Sequence, residues 1–235
     1  MRIGKVFLDE SLSGHSYQTA GWIAGTDFWE AFAPLWQLAL RDGRSIDYFK
    51  WSEGLRLEGQ FKGWTEVERD HKFKQMASLF PHNDRMLQGV ACHMTRQQFG
   101  DYAKKRMRRP YNESPYFIEM FVTTLWATQT YTNFDQIDFI LDLDKCKHSG
   151  RVRDFFYKKI KPIHARFGDC FELSDKTELP LQGADLLAGV LRQTHEPRPL
   201  FHEAASLLNG ILTRELNLDE RSLKCLFEHY PGRLS

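Results

Sequence analysis

The sequence predicts an α/β fold, a mixed sheet flanked by helices. Two short strand-like runs joined by a Ser- and Gly-bearing turn open the chain. From residue 136 onward strand and helix patterns alternate, the order that lays parallel strands under covering helices. Residues 136–143 form a nearly continuous apolar run, as a strand buried on both faces should. At 235 residues the chain is long enough to bury a core without disulfides or structural metal. It has no linker tract, repeat or low-complexity segment. The expectation is one domain over 1–195 with a helical insertion near 95–133, followed by a helical C-terminal extension over 196–235 packed on it.

The elements follow in order. Residues 5–9 read as a first strand and 18–25 as a second, with the loop between them at 11–16. Asp27 with Glu30 opens a helix whose Phe28, Phe32, Leu35, Trp36 and Ala39 recur at helical spacing until Gly43. Thr65 and Glu68 form a capping-box pair, and Val67, Phe73, Met76, Ala77 and Phe80 carry that helix to Pro81. Residues 85–94 read as a strand. Thr95 with Gln98 starts a helix that runs into a basic stretch and breaks at Pro110. Ser114 and Pro115 begin another, continued by Phe117, Met120, Phe121, Thr124 and Leu125. After the strand at 136–143, residues 152–167 read as a helix bent by Pro162, 169–173 as a strand and 181–194 as a helix. Two short helices near 200–215 and 219–229 complete the expectation.

Thirty-two Lys and Arg balance 31 Asp and Glu. That excludes a uniformly basic nucleic-acid coat and an acidic disordered tail, so a polyanionic partner must be held by a local patch. No run approaches the ~20 apolar residues of a membrane span. Cys92, Cys146, Cys170 and Cys225 lie far apart without a CxxC pair. Together these features predict a cytoplasmic protein with reduced thiols and no signal peptide.

Carboxylates punctuate three element ends. Asp9 and Glu10 follow Val6-Phe7-Leu8, where strand propensity would not place them. By alternation Phe7 and Asp9 share one face and Leu8 and Glu10 the other, so both acids reach one site only if the strand ends between them. In the run from Ile137 to Asp144, alternation puts Asp138, Asp142 and Asp144 on one face. On the helix at 181–194, Gln182, Asp185, Gly189 and Arg192 form a polar stripe while Ala184, Leu187, Ala188 and Leu191 face inward. Each acid alone reads equally well as a turn former or a solvated side chain. Together they lie where open α/β sheets place sites, at the carboxyl ends of strands. Carboxylates converging from two strands and a helix repel one another unless a cation neutralises them. Mg²⁺ or Mn²⁺ is the hard ion suited to such oxygens, and two ions ~4 Å apart hydrolyse phosphodiesters.

These motifs also carry a family likeness. VFLDES near the start, IDFILD in the middle and LPLQGADLLAG near the end resemble the bacterial family called domain of unknown function 3800, whose fold is considered similar to ribonuclease H. The resemblance spans roughly residues 5–195. It implies Asp9, Asp142 and Asp185 as metal ligands, with Glu10 and Gln182 as site neighbours. The segment Tyr48-Phe49-Lys50-Trp51-Ser52-Glu53 is similar to a family stretch ending in an acid, which implies Glu53 as a fourth carboxylate. Leu12 and Ser13 depart from the family pattern before Gly14. The activity implied is a nuclease acting on DNA or RNA.

For the substrate, residues 96–109 hold six basic side chains against Asp101 alone, with Tyr102 and Tyr111 nearby for stacking. Lys104, Lys105, Arg106, Arg108 and Arg109 are the expected phosphate contacts, although a solvated helix end explains them equally. Lys158, Lys159, Lys161, Arg151 and Arg166 offer a second basic surface. Two further readings stand beside the nuclease. FILDLDK resembles the Asp-x-Asp strand of haloacid dehalogenase-type phosphohydrolases, with Asp142 as nucleophile. Alternatively, the chain is a non-catalytic interaction module of a bacterial defence or toxin system. Cys146 with His148, and Cys92 with His93, lack the further ligands a zinc site needs. No GxGxxG or P-loop is present. His148 is the histidine placed to shuttle a proton near Asp142, or else is an ordinary surface histidine.

Overall fold

The computed structural model describes residues 1–80, 87–107, 114–142, 151–195, 206–208, 213–230 and 233. They form a six-stranded mixed sheet flanked by helices. The strands are β1 (Ile3–Leu12), β2 (Ser16–Gly25), β3 (Gln88–Thr95), β4 (Gln136–Asp142), β5 (Phe167–Leu173) and β6 (Thr213–Asn217). Their spatial order is β5-β4-β1-β2-β3-β6, with β2 antiparallel to its neighbours and the other pairings parallel. The carboxyl ends of β1, β3, β4, β5 and β6 therefore share one edge.

Both early strands are longer than expected. Ser13 closes the hairpin: its hydroxyl accepts from the N–H groups of His15 (3.1 Å) and Ser16 (3.0 Å), and its own N–H donates to Ser16 O at 3.0 Å. Because β1 runs through to Leu12, Asp9 and Glu10 both lie inside a strand and point to opposite faces.

On one face Phe7, Ala20, Trp22, Ala91 and Ile140 pack beneath α1 (Thr26–Arg41), α2 (Trp51–Arg56), α3 (Glu66–Ala77) and α8 (Leu179–Thr194). Aromatic contacts dominate there, with Trp22 stacked on Phe80 at 4.5 Å. α1 begins after Gly25, with Asp27 in its first turn rather than at the cap. It buries Trp29, Phe32, Trp36, Ala39 and Leu40, while Leu35 is exposed, because the inward stripe is rotated from the one its sequence suggests. The capping box of Thr65 and Glu68 forms as expected, but Val67 in that first turn faces water. Lys72 turns inward instead, and its ammonium donates to Ala39 O (2.9 Å) and Asp42 O (2.6 Å), satisfying carbonyls at the end of α1.

The other face, with Val6, Leu8, Ile23, Val90, Phe139 and Leu141, carries α6 (Ser114–Thr130) and the C-terminal helix α9 (Glu220–His229). Arg96–Gln98 (α4) passes through a π-helical turn at Phe99–Ala103 into Lys104–Arg106 (α5). A single helix expected over 152–167 is instead α7 (Arg151–Phe155), a π turn at Phe156–Ile160 and a 3₁₀ turn at Lys161–Ile163. Pro162, lacking an N–H, sits at the start of that last turn, and the chain is already extended at Phe167. Of the helix expected near 200–215, residues 206–208 are helical, 200–205 and 209–212 lie outside the described residues, and the end is corrected, since Thr213–Asn217 pairs with β3 as β6. No helix among the described residues is long and apolar enough to cross a membrane.

α8 departs furthest from expectation. Its polar stripe does not face water: Gln182, Asp185, Gly189 and Arg192 are buried along with its apolar residues, as is Gln193 outside the stripe. The helix lies between the sheet and the α1 and α2 layer, and glycines make that possible. Trp22 Nε1 donates to Gly183 O at 3.0 Å, and a Cβ on Gly189 would fall inside the Trp51 ring. Gly189→Ala is therefore expected to lower stability by about 1–3 kcal/mol, the cost typical of overpacking a filled core, read as a fall in the midpoint of thermal unfolding.

Candidate functional site

β1 and β4 run parallel with Phe7 opposite Ile140 and Leu8 opposite Leu141. One residue further on, Asp9 comes abreast of Asp142. Each lies two positions beyond a core-facing residue, Phe7 and Ile140, so both side chains point to the α8 face. Both are buried, as are Asp185 on α8 and Asp175, which follows β5.

A short stretch leading into α2 ties these acids together. The N–H of Trp51 donates to Asp185 Oδ2 at 2.6 Å, and the preceding Lys50 places its ammonium 3.3 Å from Asp142 Oδ2 and in a hydrogen bond to Asp175 Oδ2. Asp9 Oδ1 accepts from the N–H of Glu10 at 2.7 Å. Gln182 fixes the frame. Its Oε1 accepts from Trp36 Nε1 (2.9 Å) and the Phe49 N–H (3.0 Å), and its Nε2 donates to Asp175 O at 2.8 Å. One buried amide thus holds α1, the segment before Lys50 and the loop bearing Asp175.

Beside the acids opens a cleft of ≈ 480 Å³ lined by Ser11, Trp51, Ser52, Arg56, Asp185 and Arg192 among others. Arg192 Nε donates to Ser11 Oγ at 2.8 Å, which places a guanidinium two residues along β1 from Asp9. A second cleft, of ≈ 540 Å³, shares Ser52 and Arg56 and is also lined by Lys50, Glu53 and Lys176.

Asp9, Asp142 and Asp185 therefore share one face of the sheet. Glu10 alternates with Asp9 along β1, yet it lines the cleft beside Asp185 as the expected site neighbour, and it also acts electrostatically on the buried carboxyl of Glu119. Other expected residues go elsewhere. Glu53 accepts from Tyr48 Oη (2.9 Å) and the Gln60 N–H (2.8 Å), so both of its oxygens serve the 48–60 segment. Gln182 lies at the site as scaffold, with no exposed surface to offer a substrate. Lys104, Lys105 and Arg106 follow Phe99, Tyr102 and Ala103, which pack in the core on the far side of the sheet from the acids. Arg106 stacks over the Tyr102 ring at 3.4 Å. In the other basic group, Lys158 pairs with Asp154 (2.7 Å) and Lys161 with Asp169 (2.8 Å). Arg108, Arg109, Tyr111, Asp144, Cys146 and His148 lie outside the described residues. Cys92 and His93 are split by alternation: Cys92 joins the far core, and His93 stacks on His195 at 3.8 Å.

Lys50 and Asp175 are the residues that sequence reasoning passed over. Asp175 carried the same signal as the acids it did select, since it follows the carboxyl end of a strand. Lys50 stands inside the segment singled out for Glu53.

Carboxylate oxygens are the donors that suit Mg²⁺ or Mn²⁺, and Asp175 Oδ1 is buried with no hydrogen-bond partner among the described residues. The cations beside these acids are Lys50, Arg192 and Arg56. Among the described residues, however, no three His, Cys, Asp or Glu side chains already stand as a metal-binding group. Comparisons of the chain with protein-family models, curated proteins and solved structures find no match.

On the opposite face Thr19 Oγ1 donates to Glu119 Oε2 at 2.9 Å, yet burial holds the Glu119 carboxyl well above its ordinary value, reinforced by Glu10 and Glu215. A carboxyl raised in this way favours folding as the neutral acid. Its contribution is complete below the unfolded value of about 4.5 and is lost as pH rises toward the folded one. Glu119→Gln, neutral throughout and still able to accept from Thr19, is expected to match the wild type in stability near pH ~4 and exceed it near pH ~8, as measured by denaturant titration at both pH values.

Proposed function

We propose that this chain is a metal-dependent nuclease of ribonuclease H-like fold, related to the domain of unknown function 3800 family, that hydrolyses phosphodiester bonds of DNA or RNA. The observation that supports this reading is the parallel register of β1 and β4, which runs to Leu8 opposite Leu141 and carries Asp9 and Asp142 on one face, with Asp185 on α8 linked to Asp142 through Trp51 and Lys50. Asp9, Asp142 and Asp185 would hold Mg²⁺ or Mn²⁺, which when bound supplies an activated water and offsets charge on the leaving oxygen.

The remaining work falls to side chains of the cleft. Arg192, oriented by Ser11, and Arg56 on α2 present cations to a phosphate at the cleft beside Asp185. Trp51 and Leu55 supply an apolar wall that limits water around the scissile bond. The basic segment containing Lys104, Lys105 and Arg106 is anchored on the far core, so its part in this reading is to attract a polyanion at long range rather than to position it.

The test is cleavage of labelled single- and double-stranded DNA and RNA with Mn²⁺, with EDTA as control. Asp9→Asn and Asp185→Asn are each expected to reduce the rate about 10³-fold, the equivalent of the several kcal/mol an ion contributes. Absence of Mn²⁺-dependent cleavage on all four substrates, or activity untouched by both substitutions, overturns the proposal.

A further inference from the structure

α1 carries apolar residues on two sides. The inward side buries Trp29, Phe32, Trp36, Ala39 and Leu40, and through Trp36 Nε1 it holds Gln182 of α8. The outward side presents Ala31, Pro34, Leu35 and Leu38, whose spacing by three and four residues sets them in one stripe. Leu35 and Leu38 are 52% and 65% exposed, and no other helix among the described residues turns two large apolar side chains to water. Apolar surface gathered in this way marks a contact face.

Charge at the two ends of the stripe identifies what covers it. Asp27 and Glu30 flank its start and Arg41 closes it in the last turn of α1. No ion pair among the described residues uses any of the three. The charges nearby are committed elsewhere, since Asp42 accepts from Gln75 of α3 and Arg44 pairs with Glu68. At a constant rise per residue, Asp27 and Arg41 lie about equally far on either side of Pro34 and Leu35, and so do Ala31 and Leu38. A two-fold axis beside that midpoint therefore sets a second α1 antiparallel to the first with matching parts opposed. Leu38 of one copy lies over Ala31 of the other, large side chain against small, Leu35 meets its own equivalent, and Arg41 of each copy reaches Asp27 and Glu30 of the other. A parallel pair would set like charges together. We propose that the outward stripe of α1 is a homodimer interface, in which two copies of this chain pair their α1 helices antiparallel about Pro34 and Leu35. The interface lies on the side of α1 turned away from α8 and is independent of the nuclease reading. One helix pair buries less than the ~1,600 Å² of a standard stable interface, so the dimer forms and dissociates with concentration.

Sedimentation velocity of the full chain from ~1 to ~100 µM reads the association directly. The wild type is expected to move from 27.6 kDa toward twice that mass as concentration rises. Leu38→Glu, at an exposed position, is expected to weaken association more than about tenfold by placing a charge in the apolar contact. Arg41→Asp is expected to weaken it as well, and Asp27→Arg combined with Arg41→Asp to restore it in part, a rescue that only the antiparallel register gives. Thermal unfolding confirms that folded chains are compared, and the wild-type mass decides the matter even if a variant does not fold. A wild type that stays monomeric throughout, leaving the stripe to another protein or a lipid surface, overturns the proposal. So does a dimer that Leu38→Glu and Arg41→Asp both leave intact, and absence of recovery in the folded double variant overturns the antiparallel pairing.

Discussion

The structure turns on a buried polar helix. α8 lies between the sheet and the aromatic layer, and a helix so placed would ordinarily be apolar all round. It carries Gln182, Asp185, Arg192 and Gln193 into that position, and a buried amide or carboxylate is tolerated only when bonded. The Gln182 amide meets that demand by joining Trp36, Phe49 and Asp175. The same bonds fix the stretch that carries Lys50 and Trp51, and through it the spacing of Asp142 and Asp185. Satisfying the helix and assembling the acids are thus a single arrangement of hydrogen bonds.

Much of the fold was legible because its signals are local. The capping boxes at Thr65 and Thr95 form as the sequence indicates, and the apolar run ending at Asp142 is a buried strand. What escaped depends on tertiary context. Nothing in the composition of α8 shows that its polar stripe is enclosed, since the stripe has the spacing of an ordinary solvent face. β6 is short and all but Leu216 of its residues are polar, so only pairing with β3 makes it a strand. Lys72 inverts hydropathy by turning inward because the buried carbonyls near the end of α1 need a donor, while Val67 in the first turn of α3 faces water.

The candidate site divides along similar lines. Alternation within β1 and β4 gave each acid's face, whereas the parallel register that brings the ends of the two strands side by side is tertiary and was not legible in the sequence. The same rule separates Glu10 from Asp9 once β1 is seen to continue past both. Glu53 resembled a site acid in sequence but serves its own loop, a choice set by Tyr48 and Gln60. The basic stretch looked like a partner for the acids because charge in a sequence carries no address. Tyr102 and Phe99 supply that address by burying themselves in the opposite core.

The position of β6 bears on how the chain is built. It is an edge strand lying parallel to β3 yet distant from it in sequence. Until it docks, β3 presents an open row of N–H and C=O groups of the kind that invites pairing with another chain. β1, β4 and α8, which hold Asp9, Asp142 and Asp185, are all synthesised before that strand. The last portion of the sheet is therefore a late protective seam, and the interval before it closes is when the protein is most exposed to misassembly.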